Sequence, residues 1–420
     1  MRKILNTLDH ISRFTLIIFG LFLLFSCSEQ KKENSNVDSK VGVLSSSIEA
    51  DLDVVPGAYN VAEYYDLIKD KKVGLVVNQT SLIDDKHIVD SLLELNVDVR
   101  RIFAPEHGFR GKADAGEEIK DGIDVKSGLP LISLYGKKKK PSKEDLMDID
   151  VMLFDIQDVG VRFYTYISSL HYVMEACAEQ NIALIVLDRP NPNAHYIDGP
   201  VLEKEYTSFV GMHPVPVVYG MTIGEYAQMI NGEGWLSDDL KVNLTVIQNR
   251  NYTHSTFYDL PVKPSPNLPN ARSILLYPSL CFFEGTHVSV GRGTNNQFQV
   301  IGHPKLTIGK SSFTPISMEG AKYPKHENAE CKSIDLTKVT TGSLMESGRL
   351  DVSFLLDVYK DLSTQGEDFF LDNNFFEKLA GTAALRQQIK DGWSEEKIVA
   401  TWKDDLQSFD QIRKKYLLYD

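Results

Sequence analysis

The residues best suited to acid–base chemistry lie in a short turn at positions 104–111, with the sequence Ala-Pro-Glu-His-Gly-Phe-Arg-Gly. Glu106 and His107 stand between a proline and a glycine, which favour sharp turns. A carboxyl group held there and partly shielded from water can act as a general acid. His107 and Arg110 are candidate ligand contacts. The alternative is structural: Glu106 caps the next helix or pairs with Arg110, and His107 is a hydrogen-bonded structural imidazole.

A second polar cluster spans 157–166 and reads Gln-Asp-Val-Gly-Val-Arg-Phe-Tyr-Thr-Tyr. Arg162, Tyr164 and Tyr166 offer one positive charge and two aromatic faces, which suit an anionic sugar. Gln157 is a further candidate for binding it. The alternative is that these side chains pack the start of a helix.

A third cluster, Asp-Arg-Pro-Asn-Pro-Asn, occupies 188–193. Asp188 is its candidate ligand contact, unless it pairs with the neighbouring Arg189. Asp155, which ends a predicted strand earlier in the chain, is expected to do no more than fix the loop that follows it.

A second carboxylate stands later in the chain, within the apolar run 279–286. Glu284 is the single charged residue of this run, and a buried charge is costly unless it is paired or useful. Arg292 is the obvious partner. Glu284 is therefore either a second catalytic carboxylate or one half of a structural ion pair.

The elements that must position these clusters are strands and helices in alternation. Buried-strand runs lie at 73–78, 99–103, 131–135, 151–156 and 182–187, and helical spacing recurs over 87–95 and 167–181. This alternation predicts an α/β fold with a Rossmann-like, mainly parallel sheet covered on both faces. The first three clusters follow the second, fourth and fifth strands. Because ligands bind beyond the carboxyl ends of such strands, we expect the clusters to converge on one crevice.

Other reaction classes lack their motifs in this sequence. There is no Gly-x-Gly-x-x-Gly after a strand, no phosphate-binding loop, no Gly-x-Ser-x-Gly and no His-Glu-x-x-His. We therefore predict no cofactor and no metal. Cys177 and Cys281 lie in apolar surroundings and are expected to be buried, inert thiols.

The chain is expected to hold two domains, a Rossmann-like domain at 52–260 and a smaller α+β domain at 261–420. Thr222 and Glu225 have the spacing of a capping box, with Gly232 past the helix end, so Glu225 is interpreted as structural. Apolar residues recur at helical spacing over 398–416, which predicts a closing helix packed on the domain's own core.

The first 27 residues resemble a bacterial lipoprotein signal. A basic start precedes an apolar run that is too short to span a membrane, and the run ends Leu-Phe-Ser-Cys. Cys27 would then carry the lipid and 28–51 would be a flexible tether, in an exported protein held in the periplasm, at the outer membrane or at the cell surface. An uncleaved signal anchor is the alternative. The net charge of −13 argues against nucleic acid as a partner.

In order along the chain, these motifs are similar to those of the NamZ family, long a domain of unknown function and now regarded as exo-β-N-acetylmuramidases. The resemblance runs from about residue 54 to the last residue. The motifs that carry it lie at 73–80, 104–111, 155–166, 187–192, 198–200, 283–286 and 291–294.

The resemblance implies a Rossmann-like catalytic domain, an auxiliary C-terminal domain and a cleft between them. It implies removal of N-acetylmuramic acid from the non-reducing end of peptidoglycan-derived muropeptides or disaccharides. Glu106 becomes the expected catalytic acid and Glu284 the second carboxylate, while Arg162 and Arg292 are candidates for binding the lactyl carboxylate. A non-catalytic glycan-binding lipoprotein is the competing hypothesis.

Overall fold

The computed structural model describes residues 53–106, 108, 109 and 121–420. The predictions for the signal sequence, Cys27 and the tether fall outside these residues, as do those for His107 and Arg110. Over the described part of the chain, no helix is both long and apolar enough to cross a bilayer.

Strands and helices alternate in the first half of the described chain, and helices dominate the second half. The strands are β1 (Lys72–Val77), β2 (Leu82–Ile83), β3 (Lys86–His87), β4 (Asp98–Ala104), β5 (Gly122–Ile123), β6 (Pro130–Ser133), β7 (Val151–Asp155), β8 (Ala183–Leu187), β9 (Leu244–Ile247), β10 (Val300–His303), β11 (Ser311–Phe313) and β12 (Cys331–Asp335). The helices are α1 (Val61–Ile68), α2 (Ile88–Glu94), α3 (Tyr166–Glu179), α4 (Ile223–Gly232), α5 (Ala271–Leu280), α6 (Thr341–Ser347), α7 (Ser353–Ser363), α8 (Phe375–Ala380), α9 (Ala384–Lys390), α10 (Glu395–Ala400) and α11 (Lys403–Arg413).

The main sheet has the strand order β5-β6-β4-β1-β7-β8-β9. Neighbouring strands are parallel except for the edge pair β5 and β6, which is antiparallel. Taken in chain order, the six parallel strands are arranged 3-2-1-4-5-6, which is the order of a Rossmann fold. The predicted fold class is confirmed.

Apolar side chains on both faces hold the sheet between two layers of helices. On β7, Met152 and Phe154 join a core shared with α3 and α4, while Val151 and Leu153 join a core shared with α1 and α2. A strand buried on both faces is apolar at successive positions, and this is why its sequence reads as a continuous apolar run.

The five predicted strands are confirmed to within two residues at each end, and α2 and α3 match the helices predicted over 87–95 and 167–181. Within the main sheet, the sequence analysis missed β5 and β9. β5 has only two residues, and β9 is a partly exposed edge strand, so neither produces the apolar run that marks a central strand.

The predicted capping box is present at the start of α4. Thr222 N donates to Glu225 Oε2 at 2.8 Å, and Glu225 N donates to Thr222 Oγ1 at 3.3 Å. Glu225 is buried and also lies 2.9 Å from His254 Nε2, so its structural role is confirmed. Gly232, expected past the helix end, is instead the last residue of α4.

The second half adds a three-stranded antiparallel sheet in the order β10-β12-β11 and the helices from α5 onward. The core on the α3 and α4 face continues into these helices, and the described residues from 53 onward belong to one compact unit. The predicted closing helix is divided into α10 and α11 by a turn at Thr401 and Trp402. Trp402 and Phe409 are nevertheless buried against the core, as the stripe predicted.

Candidate active site

A cavity of about 310 Å³ lies at the carboxyl edge of the main sheet, where residues of both halves meet. Glu106 follows the end of β4 by two residues and Tyr135 follows the end of β6 by two residues. The side chains that line the cavity are Glu106, Tyr135, Phe163, Tyr164, Thr165, Tyr166, Phe209, Val210, Ser265, Asn267, Leu268, Tyr277, Cys281, Glu284, Arg292, Phe298, Phe375 and Leu379.

Glu106 is partly buried and held by two hydroxyl groups. Tyr135 Oη donates to Glu106 Oε1 at 2.9 Å, and Thr165 Oγ1 donates to Glu106 Oε2 at 2.9 Å. Thr165 is the residue directly before α3, so the carboxyl group is tied to the loops after two strands and to the start of a helix. A hydroxyl group can donate or accept. The same two partners can therefore hold Glu106 with or without its proton, as an acid–base group requires.

The two predicted tyrosines form an aromatic wall beside Glu106. Tyr164 and Tyr166 pack edge to face with ring centroids 4.9 Å apart. Tyr164 Oη donates to Pro264 O at 2.7 Å, and Asn78 Nδ2 donates to Tyr166 Oη at 3.0 Å. Burial raises the pKa of both phenols above the usual value, so both stay neutral in this wall.

Glu284 and Arg292 form an ion pair in the same cavity. Arg292 Nε donates to Glu284 Oε1 at 2.8 Å and Nη2 donates to Oε2 at 2.7 Å. Burial disfavours the charge of Arg292, but the carboxylate of Glu284 outweighs it and raises the pKa of Arg292. The ion pair that the sequence analysis held as an alternative is therefore present, and both partners line the cavity.

Arg162 does not line the cavity, contrary to the expectation that it contacts ligand. Its side chain is fully buried, and its guanidinium donates to the carbonyls of Pro200 and Val215 at 2.7 Å. It also donates to the carbonyls of Leu379 at 3.0 Å and Ala380 at 2.7 Å. Arg162 therefore fixes the end of α8, and Leu379 of that helix lines the cavity.

Asp188 is also fully buried and lies away from the cavity lining. Its carboxylate accepts from Thr222 Oγ1 at 2.7 Å and Tyr419 Oη at 2.6 Å. The alternative of an ion pair between Asp188 and Arg189 is wrong as well: only the backbone N of Arg189 donates to Asp188 Oδ1, at 3.0 Å, while Arg189 Nη2 donates to Asp155 Oδ2 at 2.9 Å. This ion pair joins the ends of β7 and β8, as expected of a strand-end residue that fixes its loop.

Gln157 is buried beneath the same loops rather than exposed to the cavity. Its Nε2 donates to Asp158 O at 2.8 Å and to Pro190 O at 2.6 Å. Of the predicted site residues that the structure describes, five line the cavity, and three (Gln157, Arg162 and Asp188) do not. Those brought together are Glu106, Tyr164, Tyr166, Glu284 and Arg292.

The sequence analysis missed Tyr135 and Thr165 as partners of Glu106. One signal was available for Tyr135, since it closes the predicted third strand at the edge where Glu106 follows the second. Thr165 lies within the 157–166 cluster, but its position directly before a helix predicts only a cap. Cys281, expected to be buried and inert, is buried but also lines the cavity.

Two family models cover nearly all of the described chain. Residues 73–272 match the N-terminal domain of the exo-β-N-acetylmuramidase NamZ, and residues 275–419 match its C-terminal domain. The junction between the two matches falls at the start of α5, which contributes Tyr277 to the cavity.

Relatives and solved structures agree with these matches. The chain is 39% identical to the peptidoglycan β-N-acetylmuramidase NamZ of Bacillus subtilis (strain 168), over 96% of this chain and 97% of that protein. Two crystal structures of DUF1343 family proteins from Bacteroides fragilis NCTC 9343 superpose on it. The first has a TM-score of 0.81 and 46% identity, over 88% of this chain and 99% of that one. The second has a TM-score of 0.75 and 29% identity, over 87% of this chain and 99% of that one. The chain belongs to the NamZ exo-β-N-acetylmuramidase family.

Proposed function

We propose that this protein is an exo-acting β-N-acetylmuramidase. It would release terminal N-acetylmuramic acid from the non-reducing end of peptidoglycan fragments. One observation carries the proposal: a single cavity holds a hydroxyl-bound glutamate from the Rossmann-like half and a glutamate–arginine pair from the other half. Glycoside hydrolysis generally needs two carboxyl groups around the bond that breaks.

Glu106 is the proposed general acid. It would transfer its proton to the glycosidic oxygen while the bond from C1 to that oxygen breaks, and the electron pair would stay on the departing oxygen. Water would then bond to C1 and lose its proton to a carboxylate: to Glu284 if water attacks directly, or to Glu106 if the substrate's own acetamido oxygen bonds to C1 first and water displaces it. Tyr135 and Thr165 would hold the carboxyl group in place during this transfer.

Arg292 is the proposed binding residue for the lactyl carboxylate. A guanidinium binds carboxylates through a planar fork, and here Glu284 fixes the direction of that fork while Nη1 takes no part in the pair. Glu284 is the proposed second carboxylate. Because it is bound as an anion by Arg292, it would stabilise developing positive charge or assist water rather than donate a proton.

The test separates an acid from other roles by the choice of leaving group. Glu106→Gln should lower turnover of a disaccharide with N-acetylmuramic acid at its non-reducing end by about 10²–10⁴-fold. Turnover of a nitrophenyl β-N-acetylmuramide by Glu106→Gln should fall much less, because its leaving group needs little protonation. Exposed Glu94, which pairs with Lys86, provides the control Glu94→Gln.

Circular dichroism would establish that each variant is folded. Near-normal turnover of the disaccharide by folded Glu106→Gln would remove Glu106 from the mechanism. A wild-type protein that binds the glycan without cleaving either substrate would support the competing glycan-binding function instead. If the nitrophenyl N-acetylglucosaminide were cleaved faster than the N-acetylmuramide, the preferred sugar would not be N-acetylmuramic acid.

We also propose that the protein is an exported lipoprotein anchored through Cys27, in the periplasm, at the outer membrane or at the cell surface. The lipobox-like ending of the apolar run supports this. Mass spectrometry of the full chain isolated from membranes tests this: a lipoprotein would begin at Cys27 and carry acyl chains on that residue. An uncleaved signal anchor would instead keep residues 1–26 and carry no acyl chain.

A further inference from the structure

Lys325 binds the backbone of the segment that carries Glu284. Its Nζ lies within hydrogen-bond distance of the carbonyls of Phe283 at 2.8 Å, Glu284 at 3.2 Å, Thr286 at 2.6 Å and Val288 at 3.2 Å, so its three N–H groups are shared among four acceptors. Lys325 is partly buried and does not line the cavity. These four carbonyls come from six consecutive residues, so the segment 283–288 wraps around one ammonium group.

A second contact extends this arrangement. The next residue, His326, places Nε2 2.6 Å from the carbonyl oxygen of His287. Within the segment, Thr286 Oγ1 donates to Phe283 O at 2.8 Å. The side chains of Lys325 and His326 together contact the backbone carbonyls of residues 283, 284, 286, 287 and 288.

Backbone carbonyls that point at one another repel, because each carries negative charge on its oxygen. A cation among them converts that repulsion into attraction, and hydrogen bonds to a charged group are worth more than neutral ones. The shape of 283–288 therefore depends on the ammonium of Lys325. That shape decides where Glu284 meets Arg292.

We propose that Lys325 is a positioning residue for this cavity, whose ammonium sets the backbone of 283–288 and thereby the orientation of the Glu284–Arg292 pair toward substrate. The proposal rests on the proposed muramidase function for its kinetic consequences. It assigns no ligand contact to Lys325.

The charge of Lys325 is itself sensitive to pH. Burial lowers the pKa of Lys325 to about 8, the carboxylate of Glu284 acts against this decrease, and the guanidinium of Arg292 adds to it. The thiol of Cys281 also faces it, and His287 and His326 lie in the flanking backbone. As the ammonium loses its proton above about pH 8, the four carbonyls lose their cation.

Chemical rescue of Lys325→Ala is the central experiment. The variant should lower kcat/KM for the disaccharide by about tenfold or more, as loss of a charged hydrogen-bond donor predicts. Ethylammonium chloride should raise kcat/KM of Lys325→Ala several-fold, because it places an ammonium group in the vacated space. Tetramethylammonium chloride at the same concentration has the charge but no N–H group, and should not.

Two further measurements separate positioning from general stability. Wild-type activity should fall above about pH 8, and this decrease should be absent from Lys325→Ala without added amine. Hydrogen exchange of peptides covering 283–288 should be faster in Lys325→Ala than in wild type. Lys305→Ala, at an exposed position in the same half, is the control and should change none of these.

The outcomes are distinguishable. Full activity of folded Lys325→Ala, or equal rescue by both cations, would overturn the positioning role while leaving the proposed function intact. Inactivity of the wild-type protein would refute the proposed function. If the wild-type protein is inactive, hydrogen exchange still tests the backbone role. Unchanged exchange at 283–288 in Lys325→Ala would refute that role, and faster exchange would support the backbone role without the kinetic one.

Discussion

Arg292 binds Glu284 through two nearly equal hydrogen bonds, of 2.8 and 2.7 Å, inside a cavity that is also lined by Glu106, from the opposite half of the chain. A guanidinium held by two bonds cannot rotate freely, so its remaining N–H groups point in a fixed direction. This pre-organisation is what recognition of a second carboxylate requires.

Arg292→Lys tests that geometry without removing the charge. Lysine cannot form two parallel hydrogen bonds with Glu284, so the cation would lose its fixed direction. We expect KM for the disaccharide to rise about tenfold or more, with a smaller change in kcat, because the bond to the lactyl carboxylate would form in both ground and transition states.

Steady-state kinetics on the disaccharide measure this change. Arg349, which forms a half-exposed pair with Glu395, provides the control Arg349→Lys, and its kinetic constants should match wild type. An unchanged KM in Arg292→Lys would show that the guanidinium fork does not bind the substrate.

Tyr135→Phe tests the support of the proposed acid. It removes the hydroxyl that donates to Glu106 Oε1 at 2.9 Å and leaves the ring in place. We expect kcat for the disaccharide to fall about tenfold, which corresponds to about 1.4 kcal/mol, the size of one hydrogen bond. KM should change little, since Tyr135 would orient Glu106 rather than hold the sugar.

Tyr65 provides a matched control for that substitution. Its hydroxyl donates to Leu95 O at 3.4 Å at the protein surface, far in sequence from the cavity-lining residues. Tyr65→Phe should keep the wild-type kcat. If Tyr135→Phe kept it too, Glu106 would not depend on this hydroxyl for its function.

The sheet could be predicted from the sequence because each central strand is a continuous apolar run between turn residues, a local pattern. The edge at which the clusters lie follows from the parallel arrangement alone. Glu106 and Glu284 could be proposed because a charge next to apolar or turn residues is unusual wherever it appears.

The partner of a long side chain could not be predicted in the same way. Arg162 stands in a cluster that suits a ligand, yet its guanidinium reaches Leu379 O, 217 residues further along the chain. Asp188 and Arg189 are adjacent in sequence, yet Arg189 turns to Asp155 and Asp188 to Tyr419. Such partners depend on tertiary packing that no local pattern encodes.

The Arg162 contacts lead to a prediction about stability. A Cβ atom added at Gly381 would lie 2.6 Å from Arg162 Nη2, and Gly381 has a φ of +76°. Gly381→Ala should therefore lower the free energy of unfolding in three ways: by backbone strain, by crowding Leu202 Cα at 3.0 Å, and by displacing a guanidinium that satisfies four buried carbonyls. We expect a loss of about 3 kcal/mol or more, since each buried group left unpaired costs about 1–3 kcal/mol.

Gly366→Ala isolates the strain term, because Gly366 has a similar φ of +77° and no atom within 4 Å of the added Cβ. It should lose only about 1–2 kcal/mol, the cost of the left-handed conformation for an L-residue. Urea unfolding of the two variants measures both values. Equal losses would mean that the Arg162 contacts contribute no stability at this point.

The buried Asp158 provides a pH-dependent prediction. It is buried beneath the carboxyl edge of the sheet, where its Oδ2 accepts from Gly160 N at 2.7 Å and from the hydroxyl of Tyr219. Its Oδ1 has no hydrogen-bond partner among the described residues. Burial raises the pKa of Asp158 to about 6, and the two hydrogen bonds only partly oppose this increase.

Because the pKa of Asp158 is higher in the folded protein than the value of about 3.9 expected for an unfolded chain, the folded state binds more protons between those values. The free energy of unfolding should therefore fall as the pH rises from about 4 to about 6, by on the order of 3 kcal/mol from this group, and then level off. Asp158→Asn keeps a neutral side chain at every pH, so the contribution of Asp158 to the decrease in the free energy of unfolding should be absent from this variant. The control Asp98→Asn, at an exposed position, should show the same decrease as wild type. Parallel pH profiles for wild type and Asp158→Asn, measured by urea unfolding, would show that Asp158 is charged at the same pH in both states.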